Sequence, residues 1–177
     1  MRQSPPIPRD ALQVRGLAVL LAQPLHDPPD NACSHLMQYD VLVFKWCFPV
    51  SLIERGEQLA EHQGYYLGMR DRMDELPDKL YVVVTQPPDI LNDTDRAAAE
   101  RARTLATWLA SDEFLDGHPN VDTLDFLDLL ADPSTDMPRP EYCTTESDAH
   151  PNEPANRTVG PLFVQFVDQA YASFAER

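Results

Sequence analysis

Basic residues are in short supply. The chain carries 14 lysines and arginines against 29 aspartates and glutamates, a formal net charge of -15. Such a surface repels phosphate backbones and anionic lipid, which excludes nucleic acid as an expected partner. Acidic residues are spread along the chain without a long block, so the plain account of the charge is a solvated surface. Glycine is also scarce, six in 177 residues, and no glycine-rich turn follows an apolar run. A phosphate-cradling loop is therefore not expected, and neither is a nucleotide or other cofactor. Three cysteines, Cys33, Cys47 and Cys143, are an odd number without short spacing, which gives neither a disulfide framework nor a zinc site. His26, His35, His62 and His118 show no paired ligand spacing, so no metal is expected. No stretch approaches the roughly 20 apolar residues of a membrane span, and Pro5, Pro6 and Pro8 replace any signal-like apolar start. On these grounds the chain reads as cytoplasmic, with no membrane partner. Oligomeric state is not legible.

What is present is a pattern of alternating elements. Residues 1–38 read as an extended or irregular lead-in with one uncertain element, because Leu17-Ala18-Val19-Leu20-Leu21 fits a short strand or part of a helix equally. Asp27-Pro28-Pro29-Asp30-Asn31 is a loop signal. From residue 39 to 177 a single α/β domain is expected. Val41-Leu42-Val43-Phe44 and Leu80-Tyr81-Val82-Val83-Val84 are apolar runs suited to strands buried on both faces. Between them a helix opens near Ser51, weakened at Gly56 and Gly64. Arg96 to Ala110 is a second helix with Ala98, Ala102, Leu105, Ala106 and Leu109 on one stripe, and Val121 to Leu127 a third strand. Ala131 to Thr145 reads as loop. From Asn156 onward Val159, Leu162, Phe163, Phe166, Val167, Ala170, Tyr171 and Phe174 mark a closing helix. Strands alternating with helices pair in parallel, with helices on both faces, which gives a three-layer α/β/α sandwich whose sites lie beyond the carboxyl ends of the strands.

Chemistry concentrates at Ser147-Asp148-Ala149-His150-Pro151-Asn152, directly before the closing helix. Histidine takes and gives a proton near neutral pH, and a neighbouring carboxylate fixes its tautomer. His150 is the candidate catalytic base and Asp148 its orienter. Ser, Asp, Pro and Asn also build surface turns, and local composition leaves that reading open. Lys45, closing the first apolar run, either snorkels to solvent or contacts an anionic group. Lys45 and Asn152 are the candidate substrate-binding residues. Cys47 sits where a cysteine nucleophile could lie, although a small buried hydrophobe is the commoner use of such a residue.

Tyr39 to Ser51 (Tyr-Asp-Val-Leu-Val-Phe-Lys-Trp-Cys-Phe-Pro-Val-Ser), Tyr81 to Pro88 (Tyr-Val-Val-Val-Thr-Gln-Pro-Pro) and Asp148 to Gly160 together resemble the SGNH, or GDSL-like, hydrolase superfamily, over roughly the last three quarters of the chain. The resemblance implies a flavodoxin-like parallel sheet and a serine/histidine/aspartate mechanism on carboxylic esters with acetyl or short acyl groups. The substrate would be a small-molecule or carbohydrate ester. Asp148 and His150 would take the late acid and base positions, and Lys45 to Pro49 the place of a conserved block after the central strand. In that block the family's asparagine is absent, so either a backbone N–H or Lys45 would replace it as oxyanion donor, or that donor is lost. No Gly-Asp-Ser follows a clear first strand; Ser34 and Ser51 are the remaining hydroxyls considered for the nucleophile. Two readings follow: a chain that lacks its first β-α unit, or a degenerate relative that keeps the sandwich as a binding or structural module.

Overall fold

A computed structural model describes residues 14–46, 51–90, 92–145 and 147–177. Three parallel strands form its centre: β1 (Val41–Lys45), β2 (Leu80–Val84) and β3 (Val121–Leu124), in the spatial order β1-β2-β3. Val41 pairs with Leu80 and Lys45 with Val84, while Tyr81 pairs with Val121 and Val84 with Leu124. β2 is buried along its whole length, as its uninterrupted apolar sequence requires of a central strand.

Parallel neighbours need crossover helices, and a sheet that grows in one direction places right-handed crossovers on one face. The first crossover is α3 (Gly56–Asp74); the second combines α4 (Arg96–Leu109) with the short α5 (Asp112–Leu115). Tyr66, Met69 and Met73 of α3, Leu105 and Leu109 of α4, and Phe114 of α5 pack on Leu42, Tyr81, Val83 and Val121. The alternate residues Leu80, Val82 and Val84 turn to the other face, where α7 (Glu153–Ala175) covers them with Phe163, Phe166, Ala170 and Phe174. This alternation along β2 is the period-2 rule of a strand, and it produces the expected α/β/α layers. The α/β class with a parallel sheet thus agrees with the expectation from sequence.

Residues 14–38 join the same core. The ambiguous Leu17–Leu21 run lies in a helix, α1 (Val14–Leu21), and a second short helix, α2 (Ala32–Leu36), follows. Val14, Leu20, Leu21 and Cys33 are buried with Leu42, Tyr66 and Tyr81. The helix expected near Ser51 begins instead at Gly56 and runs unbroken through Gly64. The third strand ends at Leu124, where the Asp125 side chain accepts from the Asp128 N–H and starts α6 (Phe126–Leu130). The segment read as loop before the Asp148 motif contains the strand β4 (Cys143–Thr145), which pairs antiparallel with β5 (Asp148–Pro151). Among the described residues, no helix is long and apolar enough to cross a membrane.

The carboxyl ends of the strands are tied down by polar side chains. Thr85 Oγ1 donates to Asp125 Oδ1 at 3.1 Å and accepts from the Leu127 N–H at 3.0 Å, locking the end of β2 to the start of α6. Buried Gln86 donates from Nε2 to the Ala102 carbonyl at 2.8 Å. Arg101 on α4 reaches the carbonyls of Ile53 and Glu54, fixing the connection that follows β1. Such bonds satisfy polar groups that the packed layers remove from water.

Candidate active site

Asp148 and His150 lie on β5, and their spacing acquires its geometry there. Residues i and i+2 of a strand point to the same side, so one intervening residue, Ala149, brings the two side chains together. His150 Nδ1 is 2.7 Å from Asp148 Oδ1, and the same oxygen accepts from the His150 backbone N–H at 3.0 Å. These two contacts, the backbone N–H first and the ring second, hold the Asp148 carboxyl below its ordinary pKa. An ionised Asp148 keeps a proton on Nδ1, which makes Nε2 the atom able to accept another. The His150 side chain is 73% exposed and that of Asp148 42%, so the pair is reachable from solvent.

A cleft of about 400 Å³ opens beside the pair, lined by Leu52, Asp89, Asp93, Ser147, Asp148 and His150. Two of the connections that strand polarity singles out, those after β1 and β2, meet here with the hairpin that carries the Asp148-His150 motif. Asp89 is the residue that sequence reasoning missed. It is 8% exposed, and its Oδ1 accepts from the Ile90 N–H at 2.9 Å. Burial pushes its pKa up, with Asp93 adding to the rise and the Ile90 N–H opposing it. The available signal was position alone, since Gln86-Pro87-Pro88-Asp89 leaves the carboxyl end of the most buried strand. Two carboxyls of one cleft are therefore driven in opposite directions, one towards an anion that orients a base and one towards a neutral acid able to donate a hydrogen bond.

The other candidates separate from this cleft. Lys45 lines a different, apolar cavity on the α7 face, with Val43, Val84, Phe126 and Phe163. Its ammonium lies 5.5 Å from the centroid of the Phe126 ring. Asn152 has its amide engaged in the fold: Oδ1 caps α7 by accepting from the Ala155 N–H at 3.0 Å, and Nδ2 donates to the carbonyls of Glu141 and Cys143 at 2.9 and 3.0 Å. It positions the hairpin that carries His150. The Ser51 hydroxyl is buried and donates to the Pro87 carbonyl. Ser34 Oγ accepts from the His26 N–H, and Ser147 Oγ pairs with Thr145 Oγ1 at 3.2 Å. None of these three hydroxyls is hydrogen-bonded to the His150 ring. Cys47, with the rest of the 47–50 segment, lies outside the described residues. Among the described residues, no three His, Cys, Asp or Glu side chains are grouped to hold a metal ion.

No family model matches the chain, and neither does any curated protein or solved structure.

Proposed function

We propose that the chain acts in the hydrolysis of carboxylic esters with acetyl or short acyl groups, in the manner of the SGNH-like hydrolases that its sequence resembles. The observation that carries this reading is the 2.7 Å contact between His150 Nδ1 and Asp148 Oδ1 at the cleft beyond the carboxyl ends of the strands. In it, His150 Nε2 takes the proton of the attacking nucleophile, a serine hydroxyl in the SGNH scheme, as the ester carbonyl carbon is attacked. The imidazolium then returns that proton to the departing alkoxide, and water repeats the cycle on the acyl intermediate. Asp148 stabilises the charged ring throughout. The serine of this scheme is not identified in the chain. Lys45 lies in another cavity, so oxyanion stabilisation would fall to donors in the cleft itself.

The reading is tested with p-nitrophenyl acetate and p-nitrophenyl butyrate. Replacing His150 by Ala is expected to lower kcat/KM by about 100-fold or more, the usual yield of a positioned acid-base group. Turnover unchanged in His150→Ala would sink the proposal. The engagement of Ser34, Ser51 and Ser147 elsewhere favours a second reading, a non-catalytic module of the same fold. Saturable binding of an ester analogue, equal in wild type and His150→Ala and without turnover, would identify it.

A further inference from the structure

The two edges of the sheet are unlike. Along β3, Val121, Thr123 and Leu124 are all buried, whereas Val43 in the middle of β1 is 42% exposed and nearby Tyr39 65%. The Leu80 N–H donates to the Asp40 carbonyl at 2.9 Å, which sets the phase of the parallel ladder. Leu42 and Phe44 therefore turn their amides and carbonyls to β2, and Val41, Val43 and Lys45 turn theirs outward. An apolar strand edge with outward hydrogen-bonding groups is a template for another strand, and proteins ordinarily cover or blunt it.

Two clefts flank this same edge, one on each face of the sheet. On the α7 face lies the cavity of about 350 Å³ lined by Val43, Val84, Phe126, Val159 and Phe163. On the α1 face lies one of about 200 Å³ lined by Leu17, Leu21, Leu36, Tyr39 and Phe44, which also includes Val43. A strand laid along β1 would send successive side chains alternately into the two clefts. Of all the residues that line one cleft or the other, Lys45, in the cleft on the α7 face, is the one that carries a charge, and its ammonium makes no ion pair with a described residue.

We propose that the outer edge of β1 binds an extended segment of a partner polypeptide as a fourth parallel strand. The segment is apolar on both faces, and it carries an acidic side chain at its carboxyl-terminal end, beside Lys45. Backbone bonds to Val41, Val43 and Lys45 supply affinity, and the two clefts and the lysine supply selectivity. A second copy of the chain fits the edge less well. Antiparallel self-pairing centred on Val43 sets each Lys45 opposite the other copy's Val41 rather than an acid, and it joins two molecules of net charge -15. The inference does not rest on the ester reading, because neither cleft contains Asp148 or His150.

The probe is a fluorescein-labelled, amide-capped peptide, Lys-Lys-Gly-Val-Ile-Val-Leu-Val-Glu-Gly, titrated with the 177-residue chain and read by anisotropy. Saturable binding is expected. Val43→Pro removes an outward edge donor, a substitution that sheet edges tolerate, and should weaken binding about tenfold with the far-UV circular dichroism unchanged. Lys45→Glu should weaken the glutamate peptide about tenfold and restore preference for a peptide with lysine at that position. A peptide N-methylated at alternate residues, so that it cannot pair with the edge, should not bind to the wild type. The proposal is overturned by no binding up to about 1 mM or by equal binding of the N-methylated peptide, which would mark a merely apolar cleft. It is also overturned by a concentration-dependent dimer that Val43→Pro dissociates, since the edge would then belong to a second copy.

Discussion

Two histidine-aspartate pairs of this protein use the same atoms at opposite ends of the sheet. His118 Nδ1 lies 2.8 Å from Asp74 Oδ2, and His150 Nδ1 lies 2.7 Å from Asp148 Oδ1. The first pair sits at the amino end of β3 and ties the last residue of α3 to the turn before the strand. Beside it Asn120 Nδ2 donates to the Met73 carbonyl, so the whole cluster closes a helix end. The second pair sits on a hairpin above the carboxyl ends, where an open cleft and a second, buried carboxyl face it. His118 is 19% exposed and His150 73%. Pair geometry alone therefore says little about chemistry. What distinguishes the two is the space beside the ring and the groups that share it, and parallel topology provides that space at one end of the sheet only.

The largest separation between the pairs should come from removing each carboxylate charge while keeping its shape. In Asp148→Asn the amide oxygen can still accept from the His150 backbone N–H. The same oxygen can also accept from Nδ1, so the tautomer is kept and only the charge that stabilises the imidazolium is lost. Ester turnover should fall by about tenfold or more, the difference between a charged and a neutral acceptor. Asp74→Asn should leave turnover within about twofold and cost less than about 1 kcal/mol of stability, as expected for an exposed pair. Equal losses of activity in the two variants would erase the distinction. A smaller effect, on stability rather than turnover, is expected from Asn152→Ala. It removes the α7 cap and two hydrogen bonds that brace the hairpin, together about 2 kcal/mol in a urea titration. If Asn152 contacted substrate instead, KM would rise in this variant before stability fell.

Much of the sheet was legible because its strands are continuous apolar runs between proline-rich or polar breaks, a pattern with few alternatives at β2. The closing helix was equally plain from its recurring Phe163, Phe166 and Ala170, although it begins at Glu153, where Asn152 caps it, rather than at Asn156. Leu17–Leu21 could not be assigned because five apolar residues carry neither period clearly; its burial beside α3 and the sheet is what accommodates a helix. The hairpin escaped notice because Cys143–Thr145 and Asp148–Pro151 are short and have little apolar alternation. Even so, the Asp148-Ala149-His150 spacing pointed to a pair, and the strand supplies the reason. Asp89 was illegible for a different cause: an acid after two prolines reads as a turn, and only packing shows that it is enclosed.

That enclosed carboxyl offers the finest test of the cleft end of the sheet, because it lines the same cleft as His150 and Asp148. Burial raises the folded-state pKa of Asp89 above the ordinary value of 3.8. The folded protein therefore favours the neutral acid, and the stability linked to it is fully present below 3.8 and lost as pH rises through the raised value. Asparagine imitates the neutral acid at every pH, and its Oδ1 can still accept from the Ile90 N–H. Asp89→Asn should accordingly be more stable than wild type at pH 7, by about 1 kcal/mol, within the range of ordinary single-site effects. The advantage should shrink as pH falls towards 3.8, where wild type gains the proton for itself. Urea midpoints at pH 7 and pH 4 measure it, with Asp74→Asn as the comparison at the other end. A difference of the same size at both pH values would mean that the substitution acts through packing. A less stable Asp89→Asn at pH 7 would mean that the ionised carboxylate has a partner strong enough to outweigh its burial.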